Sequence, residues 1–286
     1  MDNQKAQAGL TASNTLAPPF LYGTAWKEDD TQRCVEEALS AGFRGIDTAN
    51  QRKHYFEAGV GNALEKFFSQ GALSRKDVFI QTKFTSMGGQ DNRLPYDPND
   101  PLHKQVEQSC ASSLEHLHTD YLDSYVLHGP STYRGFGLDD QEVWRAMEDL
   151  YDQRKVMHLG ISNVTLEQLQ IIYELARVKP SFVQNRCFAS TRWDSEVRAY
   201  CAQNQIIYQG FSLLTANIEV FRNPRFLEIA HRARKTPAQI VFRFAIQVGM
   251  LPITGTTNPA HMREDLESLQ FELSENDLRT IEGALI

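Results

Sequence analysis

The feature that most constrains this chain is its rhythm. Apolar runs of strand length alternate with amphipathic segments of helical period, eight times over, at roughly 30–35 residues per unit, about the length of one strand–helix unit. The runs are Phe20–Ala25, Phe43–Asp47, Val78–Lys83, Tyr121–His128, His158–Asn163, Ser181–Asn185, Ile206–Ser212 and Leu251–Thr256. Between them, apolar side chains recur at helical spacing, as in Cys34, Val35, Ala38 and Leu39, closed by Gly42, or Val60, Leu64, Phe67 and Phe68. Thr165 with Gln168 reads as a capping box, and Trp193 opens a helix to Asn204. Asn223-Pro224, Thr236-Pro237 and Asn258-Pro259 each start a helix, since proline is tolerated in a first turn. Strict alternation predicts an α/β fold with a parallel sheet. With 286 residues, near the roughly 250 of a (β/α)₈ TIM barrel, a closed single-domain barrel over residues 18–286 is favoured over an open sheet. Residues 1–17 read as a flexible leader.

Parallel α/β folds place their chemistry at the C-terminal tips of the strands. Four runs here end in reactive or hydrogen-bonding groups: Asp47, Lys83, His128, and the pair Ser162-Asn163. Tyr55 follows the aspartate run. Lys83 has two sharp readings, a Schiff-base lysine or a charge that lowers the pKa of a neighbouring phenol. An isolated tyrosine, with a pKa of about 10, is a poor acid at neutral pH, and a close ammonium oriented by a carboxylate improves it. His128, one strand further on, can orient a carbonyl oxygen. Two loops interrupt the rhythm: Ser86–Pro101, rich in glycine and proline, and Gly129–Gly137, which carries Tyr133, Arg134 and Phe136. Loops of that length in compact domains are usually lids or binding loops.

Several classes are excluded. The chain has 29 basic and 36 acidic residues, a net charge of −7, and no basic run that would track a phosphate backbone, so no nucleic acid partner is expected. Four scattered cysteines with no C-x-x-C and no paired histidine spacing give neither a disulfide framework nor a metal site. No run approaches the length of a membrane span and no signal peptide is visible, which predicts a cytoplasmic protein with no membrane association. G-x-G-x-x-G, P-loop, H-E-x-x-H and G-x-S-x-G motifs are absent.

Taken jointly, Gly45-Ile46-Asp47-Thr48-Ala49 with Tyr55, Thr82-Lys83, Tyr121-Leu122-Asp123 through Leu127-His128, Gly160-Ile161-Ser162-Asn163 and Val183-Gln184-Asn185 resemble the aldo-keto reductase family, over about Tyr22 to Leu278. The resemblance implies a (β/α)₈ barrel that reduces aldehydes or ketones with a nicotinamide cofactor, NADPH with NADH as the alternative. It makes Tyr55 the general acid, Lys83 and Asp47 its tuning pair, and His128 the carbonyl-orienting group. Ser162, Asn163 and Gln184 would hold the nicotinamide carboxamide, and Phe211, followed by Ser212, would stack on its ring. Thr24, Asp47, Leu214, Thr254, Gly255, Thr256, Arg263 and Asp265 complete the implied cofactor set. Three departures stand out. Asp47 and Tyr55 are eight apart, a longer loop than the family commonly has. Ile253-Thr254 stands where many members carry Lys-Ser for the 2′-phosphate, which weakens the preference for NADPH. The chain ends just past the final helix, without the long C-terminal loop that closes over substrate in many relatives.

The expectation is therefore a carbonyl reductase, monomeric or weakly dimeric, with a small-molecule carbonyl substrate. The rivals are a non-catalytic NADP-binding regulatory subunit of the same fold and a Schiff-base aldolase using Lys83. Trp26, Tyr133 and Phe136 are the expected substrate wall. Aromatic walls with few polar groups favour bulky apolar carbonyls, since desolvating a charge there would go uncompensated.

Overall fold

The computed structural model describes residues 16–283. Eight strands close into one barrel in the order β1 to β8, and every neighbouring pair is parallel, β1 with β8 included. In chain order the elements are β1 (Leu21–Gly23), α1 (Thr31–Ala41), β2 (Gly45–Asp47), α2 (Glu57–Ser69), β3 (Phe79–Phe84) and α3 (Leu102–His116). Then come β4 (Leu122–Leu127), α4 (Leu138–Asp152), β5 (Val156–Ser162), α5 (Leu166–Leu175), β6 (Phe182–Arg186) and α6 (Ser195–Gln203). The chain closes with β7 (Ile207–Phe211), α7 (Pro224–Ala233), α8 (Pro237–Gln247), β8 (Met250–Thr254), α9 (Pro259–Glu267) and α10 (Glu275–Glu282). The alternation expected from the sequence is therefore a TIM barrel. Most of the proposed leader, residues 1–15, lies outside the described residues.

The helices form where the periodicity places them. In α1 the buried side chains are Cys34, Val35, Ala38 and Leu39, besides Thr31, and the helix stops at Gly42, whose φ of 118° suits a residue without a Cβ. Thr165, Thr236 and Ser274 cap α5, α8 and α10 through their side chains, each in a capping box. Helix α6 departs from expectation. It starts at Ser195, because Arg192, Trp193 and Asp194 take φ values of 53°, 55° and 58°. Three successive left-handed residues cost roughly 1–2 kcal/mol each. Tertiary contacts hold them: Trp193 is fully buried with Nε1 donating to Ile281 O at 3.1 Å. Asp194 accepts from Asn185 Nδ2 at 3.0 Å and from the Tyr208 hydroxyl at 2.8 Å.

The barrel interior is layered. Leu21, Phe79, Phe182, Leu251 and Ile253 form an apolar cluster of their own. Phe79 and Phe182 belong to strands that are not neighbours, yet their rings meet at 5.6 Å, so this contact runs through the middle of the barrel. Above this plug, towards the strand C-termini, the interior turns polar with Gln81, Gln184 and Gln209, all buried. The larger core lies between sheet and helices, where Trp144, Phe226, Phe242 and Met262 are buried. Parallel closure brings all eight strand C-termini to one rim.

Candidate active site

The rim opens into a cavity of about 1090 Å³. Strand β2 is only three residues long and ends in Asp47, which is 4% exposed. Its Oδ1 accepts from Lys83 Nζ at 2.7 Å, Gln81 Nε2 at 2.7 Å and Gln184 Nε2 at 3.0 Å. Lys83 is inaccessible to solvent, and its ammonium also donates to Thr48 O at 2.7 Å. Burial, opposed by Asp47, holds Lys83 below the ordinary lysine value. The expected carboxylate–ammonium pair is therefore present.

Tyr55 comes from the loop after β2, which makes one helix-like turn so that Tyr55 N donates to Gln51 O at 3.0 Å. That turn absorbs the longer spacing and sets the phenol ring 5.3 Å from Lys83 Nζ and 6.0 Å from the His128 ring. One expectation is corrected here. Burial first, and the Asp47 charge second, hold the Tyr55 phenol well above its ordinary value. The Lys83 ammonium, engaged by Asp47 and Thr48 O, does not outweigh these two effects. Both effects favour the protonated phenol, which keeps its proton available to donate.

His128 follows β4. Its Nδ1 lies 2.7 Å from Thr85 Oγ1, and a hydroxyl donating to Nδ1 leaves the ring proton on Nε2. Burial, followed by the Lys83 and His54 charges, lowers its pKa to about 3, so it is a neutral donor and not an acid. The Ser86–Pro101 loop braces this arrangement from behind: the Tyr96 hydroxyl donates to Thr85 O at 2.9 Å. Only Ser86, Gly88 and Gly89 of that loop line the cavity.

The residues expected to hold a carboxamide stand together at the tips of β5 and β6. Ser162 Oγ donates to Gln184 O at 2.6 Å. Asn163, left-handed at φ 55°, donates through Nδ2 to His128 O at 2.8 Å and to Ser162 Oγ at 3.1 Å. Among the described residues, no donor reaches Asn163 Oδ1 or Gln184 Oε1, and both residues line the cavity. The site therefore presents two amide oxygens as acceptors. Phe211, Ser212 (φ 56°), Leu214, Thr254, Gly255 and Thr256 also line it.

Other expected residues fall elsewhere. Thr24 is buried beside the site, its hydroxyl donating to Asp47 O at 3.1 Å, and does not reach the cavity. Arg263 is exposed on α9 and outside the lining, and Asp265 touches the cavity only through Thr254, whose hydroxyl donates to it at 2.8 Å. Burial raises the Asp265 carboxyl to about 6. Phe136 is buried in the main core and is no part of the cavity wall, because its loop turns inward before α4. Trp26 does line the mouth. It is 69% exposed, too open for a barrel plug, and its ring lies 3.9 Å from that of His54. Tyr133 lines the same cavity, which also carries small polar residues such as Thr85, Ser86, Ser131 and Ser212.

Four residues escaped sequence reasoning: Lys27, Arg186, Gln209 and Gln81. Lys27 is buried, and its ammonium donates to Gly255 O at 2.9 Å without a carboxylate partner among the described residues. Arg186, at the tip of β6, lies 5.7 Å over the Phe211 ring and lines the cavity. Gln209 interrupts an apolar run in β7. A polar residue at an inward position of a core strand is the signal that marks it, as it marks Gln81 two residues before Lys83.

A model of the Aldo/keto reductase family matches residues 19–286. The chain belongs to the aldo-keto reductase family. This reductase is 30% identical to "Aldo-keto reductase family 1 member A1-A" of Danio rerio, over 96% of its own length and 90% of the relative's. It is 27% identical to "9,11-endoperoxide prostaglandin H2 reductase" of Trypanosoma cruzi, over 96% and 90%. Among solved structures, the aldose reductase of Schistosoma japonicum superposes with a TM-score of 0.80 at 26% identity, covering 94% of this chain and 89% of that one. Family and relatives make the protein an oxidoreductase of the carbonyl-reducing kind.

Proposed function

We propose that this protein reduces an aldehyde or ketone to an alcohol with a nicotinamide dinucleotide, Tyr55 acting as general acid. The observation that carries this reading is the meeting of Asp47, Tyr55 and His128 at one cavity, with Lys83 enclosed behind them on Asp47 and two amide acceptors in the lining. The residues fit the cofactor. Gln184 Oε1 and Asn163 Oδ1 suit a carboxamide N–H pair, Phe211 offers a ring face, and the Lys27 ammonium, without a carboxylate partner among the described residues, suits a phosphate. The volume also exceeds what a small carbonyl compound alone would need.

Held by Asn163, Gln184 and Phe211, a reduced nicotinamide would supply the hydride that the carbonyl carbon accepts. The protein does the rest. His128 Nε2–H donates to the carbonyl oxygen and fixes its direction towards Tyr55. As negative charge develops on that oxygen, the Tyr55 hydroxyl transfers its proton; an alkoxide is a far stronger base than a phenolate, so a phenol of raised pKa still donates downhill. Lys83, held by Asp47, then stabilises the phenolate. The Schiff-base alternative is disfavoured because Lys83 is enclosed and twice hydrogen-bonded.

NADPH remains the proposed cofactor, with NADH as the alternative: the Thr256 hydroxyl and the Gly255 backbone line the cavity, while the Thr254 hydroxyl already donates to Asp265 and Arg263 lies outside the lining. For the substrate we favour a carbonyl with an aromatic or apolar flank that lies on Trp26, in a protein that is cytoplasmic and monomeric or weakly dimeric. Consumption of NADPH and NADH with a panel of aldehydes, ketones and quinones tests the function. Turnover with neither nucleotide across the panel refutes it.

A further inference from the structure

Directly beneath the cavity, three buried amides join across the barrel, Gln81 from β3 meeting Gln184 and Gln209 from the neighbouring strands β6 and β7. Gln81 Nε2 donates to Asp47 Oδ1 at 2.7 Å and to Gln209 Oε1 at 2.8 Å. Gln184 Nε2 donates to Asp47 Oδ1 at 3.0 Å and to Gln209 Oε1 at 2.9 Å. Gln209 Nε2 returns a bond to Gln81 Oε1 at 2.9 Å. The direction of every amide is dictated by one group. An ionised carboxylate only accepts, so Gln81 and Gln184 must both turn Nε2 towards Asp47. Their remaining N–H groups need an acceptor, which forces Oε1 of Gln209 towards them and its Nε2 towards Gln81. No other assignment satisfies all three amides. As a result both hydrogens of Gln184 are committed inside the barrel, and its Oε1 is left facing the cavity as an acceptor.

We propose that Gln81 and Gln209 are positioning residues that lock the Gln184 amide oxygen outward, so that the cavity recognises a ring substituent with N–H groups and discriminates against one that only accepts. This rests on the proposed binding of a nicotinamide dinucleotide. Asn163 works to the same end from β5, its Nδ2 hydrogens held by His128 O and Ser162 Oγ. A lone amide could rotate to suit either ligand, whereas an amide locked by its neighbours leaves a mismatched partner unpaired in a buried site.

The test compares NADP⁺ with its 3-acetylpyridine analogue, in which a methyl group replaces the carboxamide nitrogen, by quenching of intrinsic fluorescence. The wild-type protein should bind the carboxamide form tighter, on the order of ten- to a hundredfold, as expected when a buried acceptor loses its donor. In Gln209→Met, and separately in Gln81→Met, the ratio should fall towards one, mostly through weaker carboxamide binding. Gln209→Asn, which keeps an amide too short to reach both partners, should do the same if the methionine variant does not fold. Equal affinities in the wild type, or an unchanged ratio in folded variants, overturn the proposal. Failure of the wild type to bind either nucleotide would instead refute the cofactor reading itself.

Discussion

Lys27 should make dinucleotide binding a proton-coupled event. Its ammonium is buried, donates to Gly255 O at 2.9 Å and lies 5.1 Å from the Tyr22 ring, with no carboxylate partner among the described residues. Burial, opposed only by the Cys34 thiol, lowers its pKa from 10.5 to about 8. At 1.36 kcal/mol per unit, holding the charge costs the empty protein about 3 kcal/mol. The folded value lies below the unfolded one, so between those two values the folded state binds fewer protons. The stability of the empty protein accordingly rises with pH across that window. A phosphate oxygen about 4 Å away would contribute roughly 4 kcal/mol at an effective dielectric of 20, enough to restore the proton. Affinity therefore moves the opposite way: it is full below about pH 8 and falls about tenfold per unit above it, until the pKa of the complex is reached. Calorimetric titration of NADP⁺ at pH 9, in buffers of different ionisation enthalpy, should show uptake of about one proton. Lys27→Met should lose about a thousandfold in affinity at pH 7, the equivalent of that roughly 4 kcal/mol at 1.36 kcal/mol per decade, lose the pH dependence, and melt higher because a desolvated charge is gone. A flat affinity between pH 7 and 10, with no proton uptake, would refute the phosphate role of Lys27.

Three other changes test separate parts of the structure. Tyr55→Phe should keep nucleotide affinity and lose turnover by on the order of a hundredfold or more, as for removal of a general acid; comparable turnover would shift attention to His54, the neighbouring ring on that loop. Trp26→Ala should reduce kcat/KM for an aromatic aldehyde more than for a short sugar aldehyde with little change in Tm, since the indole is 69% exposed; equal losses with a large Tm drop would make it structural. Arg192→Gly should stabilise the protein by up to about 1 kcal/mol in denaturant unfolding, because glycine relieves a left-handed φ of 53° at an exposed position, less its own entropic cost. A clear loss of stability would show that the arginine side chain, and not the turn, carries the segment.

The sequence by itself determined the barrel and much of its rim. Periodicity is a local property, so alternating strand and helix signals, with glycine and cap residues at their ends, were enough to specify a parallel (β/α)₈ arrangement and to order Asp47, Lys83, His128, Ser162 and Asn163 around one edge. Tertiary structure decided what no local pattern encodes. Burial depth put the Tyr55 phenol up and His128 down in pKa, and left the Lys27 ammonium on a backbone carbonyl with no carboxylate partner among the described residues. Contacts across the barrel joined Gln81, Gln184 and Gln209, which are far apart in the chain and on strands that, save for β6 and β7, are not neighbours. Packing also moved Phe136 into the core and held Trp193 in a left-handed turn against its helical reading. The separation has one physical cause. Backbone preference acts between residues close in sequence, whereas desolvation and hydrogen-bond direction depend on every group that closure of the barrel brings near.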